Sequence, residues 1–449
     1  MIGSRICALI AVVSFGGSAV ASAYQESDEG ISQESWSAYA ARGEYAAALA
    51  SDAVPDGMPA EFVTQYLADA ESQLLNFTGR YTAAHRAIAP LMFSNERVGL
   101  GSDGNWIDLD LLTQLQPVNA LEYIREAIRG RNIVIINESH QMGHHRAFVT
   151  ALLPILRAEG FTHFGMEALS EISVPAWNTY RVPVREMGFY FGDPLMTSVL
   201  STAEQEGFDW FPYEVRGDQR LNCEMVVCSR DDRIQHREAT QAQNIYDRVF
   251  EQDPEARVVL YVGLRHLDEG SGSSENGIRS GWMAAELENL TGYDPLTIDQ
   301  VTGAGIGPSN VSQAARVIHD RFQFSEPSIL VFSNGEPLRP PSDRWIADLV
   351  LFLPFDRQDS QGVRSRWLED LNGRRSTSLN ISGFPQRPIV VQAFKDSEIQ
   401  NALPTDQFAV LDGENFDQIE LMLPPGEYII RLQTTDETIM LPDTVIVGD

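Results

Sequence analysis

Three apolar, β-like runs in this chain each break off at ionisable side chains. Residues 133–136 give way to Asn137, Glu138, Ser139 and His140. Residues 163–166 give way to Glu167, and residues 258–262 to Gly263, Leu264, Arg265 and His266. In an open parallel sheet the carboxyl ends of the strands lie along one edge, and ligands bind in the crevice there. Three strands that each deliver a Glu or His to that edge imply one shared polar site. Strand ends also turn polar because the chain returns to solvent, so a single run would carry little weight. The coincidence of three favours function.

Between about residues 106 and 355, strand-like and helix-like segments alternate, which argues for a parallel sheet covered on both faces. After the first run, Phe148, Leu152, Ile155 and Leu156 mark one helical face, closed by Glu159 and Gly160. Further strands are expected over 209–213 (ending at Glu214), 295–298 (ending at Asp299), 328–332 and 348–353. The Gly/Ser-rich segment 269–280 reads as a mobile loop over the site. Before this region, residues 36–92 are Ala-rich with helical spacing. The phrase from Gly79 to His85 resembles the turn and helix of a tetratricopeptide hairpin. A solenoid needs about three repeats or more, so the segment reads as a helical cap. From Gly383 onward, strand-like alternation recurs without a helix-length segment, as in a small β-sandwich.

The expected fold is therefore α/β: an open, mostly parallel sheet with helices on both faces, an N-terminal helical cap and a small C-terminal β-sandwich. The expected boundaries are a signal peptide over 1–23, cap and linker over 24–100, the α/β domain over 101–380 and the β domain over 381–449. The signal reading rests on Arg5, the apolar stretch 6–15 and the Ala21, Ser22, Ala23 cleavage pattern. That stretch is too short for a membrane span, which needs about 20 apolar residues, and no later stretch qualifies. The chain is thus expected to be exported, periplasmic or secreted. A formal charge of −30 excludes a general affinity for nucleic acid or anionic membrane, both of which need basic surface. A small-molecule or peptide substrate is the expected partner. Cys7 would leave with the signal. Cys223 and Cys228 then remain for an oxidising compartment and read as a disulfide bracing the loop before the Arg237 helix.

Within the site, Glu138 lies two residues before His140, where a carboxylate can orient an imidazole or ligate a metal. Glu167 ends the second run. Gly263 lets the chain turn so that His266 faces the crevice. On the helix from about Asp231, the stripe of Ala242, Ile245, Tyr246 and Val249 passes through Glu238. A carboxylate on an apolar face is costly unless paired. A helix leading into a parallel strand starts at the sheet's carboxyl edge, so Glu238 and Arg237 would lie near the crevice. The competing reading is a helix-start carboxylate favoured by the macrodipole. His140 and His144 stand at i, i+4, a zinc-like spacing if the helix were continuous. For His145 a solvated ring is the favoured reading, and His144 stays open between the two.

The order of these segments resembles the superfamily that joins ChaN haem-uptake proteins, erythromycin esterases and Tiki/TraB proteases. Asn137-Glu138-Ser139-His140, His144-His145 and Met166-Glu167 match the ChaN-type pattern. Arg237-Glu238 through Asn244, followed by Gly263 and His266, is similar to the esterase pattern. Asn137 stands where the usual glycine would be, and Gln241 where methionine would be. The resemblance covers about 132–301. It implies either hydrolysis of an ester or amide, with His140, Glu167 and His266 activating water, or capture of haem or a divalent metal. In the hydrolase, His140 would be the base, Glu138 or Glu167 would orient it, and His266 with Arg237 would stabilise the oxyanion. In the capture protein, His144 and His145 would hold haem, and Glu138, His140 and His266 a metal. A partner-binding scaffold without chemistry is the third reading.

Overall fold

The computed structural model describes residues 35–54, 58–92, 109–221, 223, 228–273, 279–304, 313–340, 346–359, 361–395 and 402–448. The expected signal peptide and most of the polar segment after it lie outside the described residues. The α/β region holds strands β1 (Leu115–Asn119), β2 (Ile133–Glu138), β3 (His163–Met166), β4 (Asp209–Phe211) and β5 (Val258–Gly263). A short ribbon, β6 (Ser271–Ser273) and β7 (Arg279–Gly281), follows, then β8 (Leu296–Asp299), β9 (Ser328–Phe332) and β10 (Leu349–Phe352). The main sheet has eight strands in the order β1-β9-β10-β8-β2-β5-β3-β4. From β10 to β4 every pairing is parallel. β9 alone runs the other way, pairing antiparallel with β10 and β1. β1 contains Pro117, which has no N–H to give a ladder, and it occupies an edge where that is tolerated.

The central strands are short runs of Val, Ile and Leu, buried along their whole length as expected of a sheet covered on both sides. Their alternation divides the core. Val134, Ile136, Val259 and Tyr261 pack on one face beneath Phe148, Leu152 and Leu156 of helix Gly143–Ala158. Ile133, Ile135, Val258, Leu260 and Val262 pack on the other, beneath Ala242 and Ile245 of helix Arg230–Ile245 and Met283 and Leu287 of helix Met283–Thr291. Because β5 lies between β2 and β3, the three strands whose ends carry the site are immediate neighbours.

The N-terminal region forms helices Trp36–Arg42, Tyr45–Ala50, Ala60–Phe77 and Tyr81–Met92, the last two an antiparallel hairpin. It is tied to the rest of the chain. Asn76 accepts from Gly143 N at 3.0 Å, Asp69 accepts from Gln141 at 2.9 Å, and Arg80 pairs with Glu414. The C-terminal region is antiparallel throughout: β11 (Arg375–Asn380), β12 (Ile389–Phe394), β13 (Asp406–Val410), β14 (Gln418–Leu423), β15 (Gly426–Gln433), β16 (Thr438–Met440) and β17 (Val445–Val447). Ile419 and Leu421 of β14 share a core with Val391 of β12 and Ile430 of β15, so two small sheets face each other. The first strand begins at Arg375, ahead of the expected change at Gly383, and pairs antiparallel with β14. Among the described residues, no helix is long and apolar enough to cross a membrane.

Candidate active site

The ends of β2, β3 and β5 meet as the sequence implies, and the ionisable groups there form two linked networks, one from each face of the sheet. On the face of helix Gly143–Ala158, Glu138 is the last residue of β2 and is almost wholly buried. Arg146 clamps it, with Nε donating to Oε2 and Nη2 to Oε1, both at 2.9 Å. Tyr261 donates its hydroxyl to Glu138 Oε2, and His140 Nδ1 stands 2.8 Å from Oε1. Burial by itself would raise the Glu138 pKa; Arg146 and His140 overcome it and bring it down to about 2. An ionised Glu138 accepts only, so His140 donates from Nδ1 and its Nε2 stands on the side of Gly263. The ring is held flat by Tyr190, stacked at 4.2 Å between centroids and 23° between planes. Arg146 also donates to the His140 carbonyl at 2.9 Å and pairs with Asp193, which accepts from Asn76 and Tyr81 in turn.

On the opposite face, helix Arg230–Ile245 supplies Arg237 and Glu238. Glu238 Oε2 accepts from Met283 N at 3.0 Å and lies 2.7 Å from His266 Nδ1. The helix begins at Arg230, so Glu238 lies two turns in, beyond the first turn where the macrodipole acts. Its buried position is explained by the imidazole it holds. His266 Nε2 is 3.3 Å from Glu167 Oε1. Burial would lower the His266 pKa, but Glu238 and Glu167 outweigh it and raise it to about 10. The protonated ring donates to both carboxylates, and Arg237 Nη1, 3.0 Å from Nε2, is a like-charge neighbour held there by its own partners. Those partners are Glu167 at 2.6 Å and Glu214, which also accepts from Gln241. Burial would raise the Glu167 pKa; His266 and Arg237 hold it well below the usual carboxylate range.

Gly263 joins the networks. Its backbone N–H donates to Glu167 Oε2. A Cβ placed on it would lie 2.9 Å from that oxygen and 3.0 Å from His140 Nε2. His140 and Glu167 therefore reach the same point, and Glu167 reaches on to His266. His140, Glu167, Arg237 and His266 keep partial exposure, whereas Glu138 and Glu238 are sealed behind them. The arrangement is a basic imidazole and a cationic pair facing one carboxylate at the sheet's edge.

Two expectations are corrected. Helix Gly143–Ala158 starts after His140, so His140 and His144 do not share a helical face. His144 and His145 are buried, not solvated: His144 stacks on Trp367 at 4.6 Å, and His145 Nδ1 accepts from Ser139 N at 3.1 Å. Neither offers an open ring edge to a haem plane. Burial pushes both pKa values down to about 3. Nor do Glu138, His140 and His266 converge on a common point: Glu138 is taken up by Arg146 and Tyr261, and His266 by Glu238 and Glu167. Among the described residues, no group of three or more His, Cys, Asp and Glu side chains is gathered to hold a metal. The loop expected over 269–280 opens and closes as the β6–β7 ribbon, with 274–278 outside the described residues. Cys223 and Cys228 are bridged, with Cα atoms 5.4 Å apart.

Arg146, Asp193 and Tyr190 were missed in the sequence. Glu214 was legible as a strand end but was not connected to Arg237.

No family model matches the chain, and no curated protein matches it in sequence. Parts of it are similar to solved bacterial toxin and effector structures. One structure described as bacterial protein toxins has 14% identity over 54% of this chain and 47% of its own, with a TM-score of 0.31. A MARTX toxin effector domain from Vibrio vulnificus, RRSP, has 16% identity over 54% and 46%, with a TM-score of 0.30. The type III effector HopBA1 has 12% identity over 42% of this chain and 88% of its own, with a TM-score of 0.26. The matched part thus spans about half the length of the first two chains. Likenesses this slight bear on neither activity nor substrate.

Proposed function

We propose that this chain is an exported hydrolase of an ester or amide bond. The observation that carries the proposal is the meeting of His140 Nε2 and Glu167 over Gly263, with His266 and Arg237 on the far side of the same carboxylate. A water between His140 and Glu167 loses a proton to Nε2 as its oxygen attacks the carbonyl carbon. Glu138 stabilises the imidazolium through Nδ1–H, the role a buried carboxylate plays for a catalytic histidine. The developing oxyanion is met by Arg237, with the positive charge of the His266 ring beside it, in a partly desolvated edge. The tetrahedral carbon then collapses, and His140 returns its proton to the leaving oxygen or nitrogen. The burial of His144 and His145 favours this reading over haem capture, and the pairing of Glu138 with Arg146 and of His266 with Glu238 favours it over metal capture.

The test is a panel of esters, lactones and amides assayed with the wild-type chain and with His140→Ala. The proposal expects at least one substrate whose turnover falls by about 10²-fold or more, the usual share of a general base. Turnover that is unchanged in His140→Ala would overturn it, as would a Soret band on adding haem that is lost in His144→Ala.

A further inference from the structure

We infer that the helical cap completes the site: Asp69 receives an ammonium or guanidinium group of the substrate, so the bond cleaved lies in an ester or amide that carries a cation near its carbonyl. The reaction in this inference rests on the hydrolase reading; the cation specificity rests on the cap.

Helix Ala60–Phe77 brings the cap to the chain just after His140. Asn76 Oδ1 accepts from Gly143 N at 3.0 Å, and Asp69 Oδ1 accepts from Gln141 Nε2 at 2.9 Å. Gln141 is buried, and Ser139 Oγ donates to its Oε1 at 3.2 Å, so the amide turns its nitrogen toward the cap. Asp69 is thereby fixed beside the His140 loop. One of its oxygens is engaged, and Oδ2 has no partner among the described residues.

The other carboxylates around the site are answered by cations. Glu138 and Asp193 share Arg146, Glu167 and Glu214 share Arg237, and Glu238 holds the His266 ring. Asp69 forms no ion pair among the described residues. Burial raises its pKa, and Gln141 and His140 offset only part of that. A half-buried carboxylate met by a neutral amide alone is costly, and a cation beside it removes the cost.

A second observation points to the same place. Tyr190 is 7% exposed, its ring stacks on His140, and its hydroxyl has no hydrogen-bond partner. Burial, then Glu167, Asp69 and Glu138, push its pKa well above the usual tyrosine range, so the hydroxyl lies within reach of all three charges. A buried hydroxyl left unpaired is costly, and its oxygen can accept from an N–H. An ammonium or guanidinium group carries several such donors. Seated at Asp69 Oδ2 and the Tyr190 oxygen, it would rest against the His140 ring and bring the substrate's carbonyl to the base.

The test compares Nα-acetyl-lysine methyl ester with its neutral match, Nα-acetyl-norleucine methyl ester. The wild-type chain should favour the lysine ester in kcat/KM by about tenfold or more, the weight of one charge-assisted contact, and chiefly through KM. Asp69→Asn keeps the oxygen that Gln141 needs and should bring the ratio of the two esters near unity. Asp69→Glu should recover part of the preference. Binding is read apart from turnover by calorimetric titration of His140→Ala. Its Kd for the lysine ester should lie about tenfold or more below that for the norleucine ester, and adding Asp69→Asn should close the gap. Failure of His140→Ala to bind the lysine ester more tightly, or a preference that survives Asp69→Asn, would overturn the inference and leave hydrolysis untouched. Cation-selective binding that depends on Asp69 but brings no turnover would support the site and count against the hydrolase reading.

Discussion

His140 and Glu167 face one another over Gly263, each within about a van der Waals contact of where a glycine side chain would begin. This shared point links two carboxylate–imidazole pairs, His140–Glu138 and His266–Glu238, that come from opposite faces of the sheet. Gly263→Ala should therefore be a local lesion. The added methyl would displace Glu167, His140 or both by a few tenths of an ångström or more, and misplaced reacting groups cost on the order of 10²-fold in rate. Hydrolytic kcat/KM should fall by that order while the circular dichroism spectrum and melting transition stay near wild type. A rate within twofold of wild type would separate the two side chains functionally.

Arg146 is the hub of the first network, wholly buried between Glu138 and Asp193. Arg146→Leu leaves two buried carboxylates without their cation. Breaking a buried pair from one side costs about 3–5 kcal/mol. Chemical denaturation should show a loss of that size, with activity lost as well because Glu138 no longer stays ionised. A variant as stable as wild type would mean that the carboxylates find protons or water at little cost.

The strand ends and Glu238 were legible because each breaks a local rule: a charge at the close of an apolar run, or on a helix's buried stripe. That β5 lies between β2 and β3 was not legible, since β4 and helix Arg230–Ile245 separate β3 from β5 in the chain. Arg146 broke no such rule. It follows two histidines and looks like an ordinary basic residue of a helix, since its partner Asp193 lies 47 residues away. Tyr190 is equally silent, because a stacking contact with His140 leaves no periodic trace. β1 was hidden by Pro117, and the reversal of β9 cannot be read from a buried run whose composition is the same in either direction. His145 misled because a polar ring is expected to face water and His144 stayed open, whereas neutral imidazoles pack well against a backbone N–H and Trp367.

Stability should fall on acidification well before the carboxylates titrate. Burial holds His144 and His145 at about 3, and His85 and His319 at about 4. The unfolded chain takes up protons on these rings near pH 6.5, and the native state does not. Their contribution is complete above pH 6.5 and is lost as pH falls from there toward 4, by about 1.4 kcal/mol per pH unit for each ring. Glu138 adds a further loss from about pH 4.5 down toward 2. His266 acts oppositely: its contribution is present below pH 6.5 and is lost as pH rises through about 10. Melting temperature against pH should form a dome with these two shoulders. His144→Phe, which preserves a ring on Trp367, should flatten the acid side; an unchanged acid slope would contradict the assignment.

The Cys223–Cys228 bridge closes a very short loop ahead of helix Arg230–Ile245. Its entropic stabilisation should lie at or below about 2 kcal/mol. Replacing both cysteines by serine should lower the melting temperature by only a few degrees. The effect on kcat/KM should be larger, since the loop leads into the helix that carries Arg237 and Glu238. Equal losses in both would mean the loop supports the fold more than the site.

The central claim is that His140 and His266 belong to one catalytic unit linked by Glu167. It is tested most directly by a double-mutant cycle in kcat/KM with His140→Ala, His266→Ala and the pair. Residues that act as a unit are strongly non-additive, so the account predicts that each single variant loses nearly as much as the double, about 10³-fold or more. Activity near wild type in the double variant would contradict it.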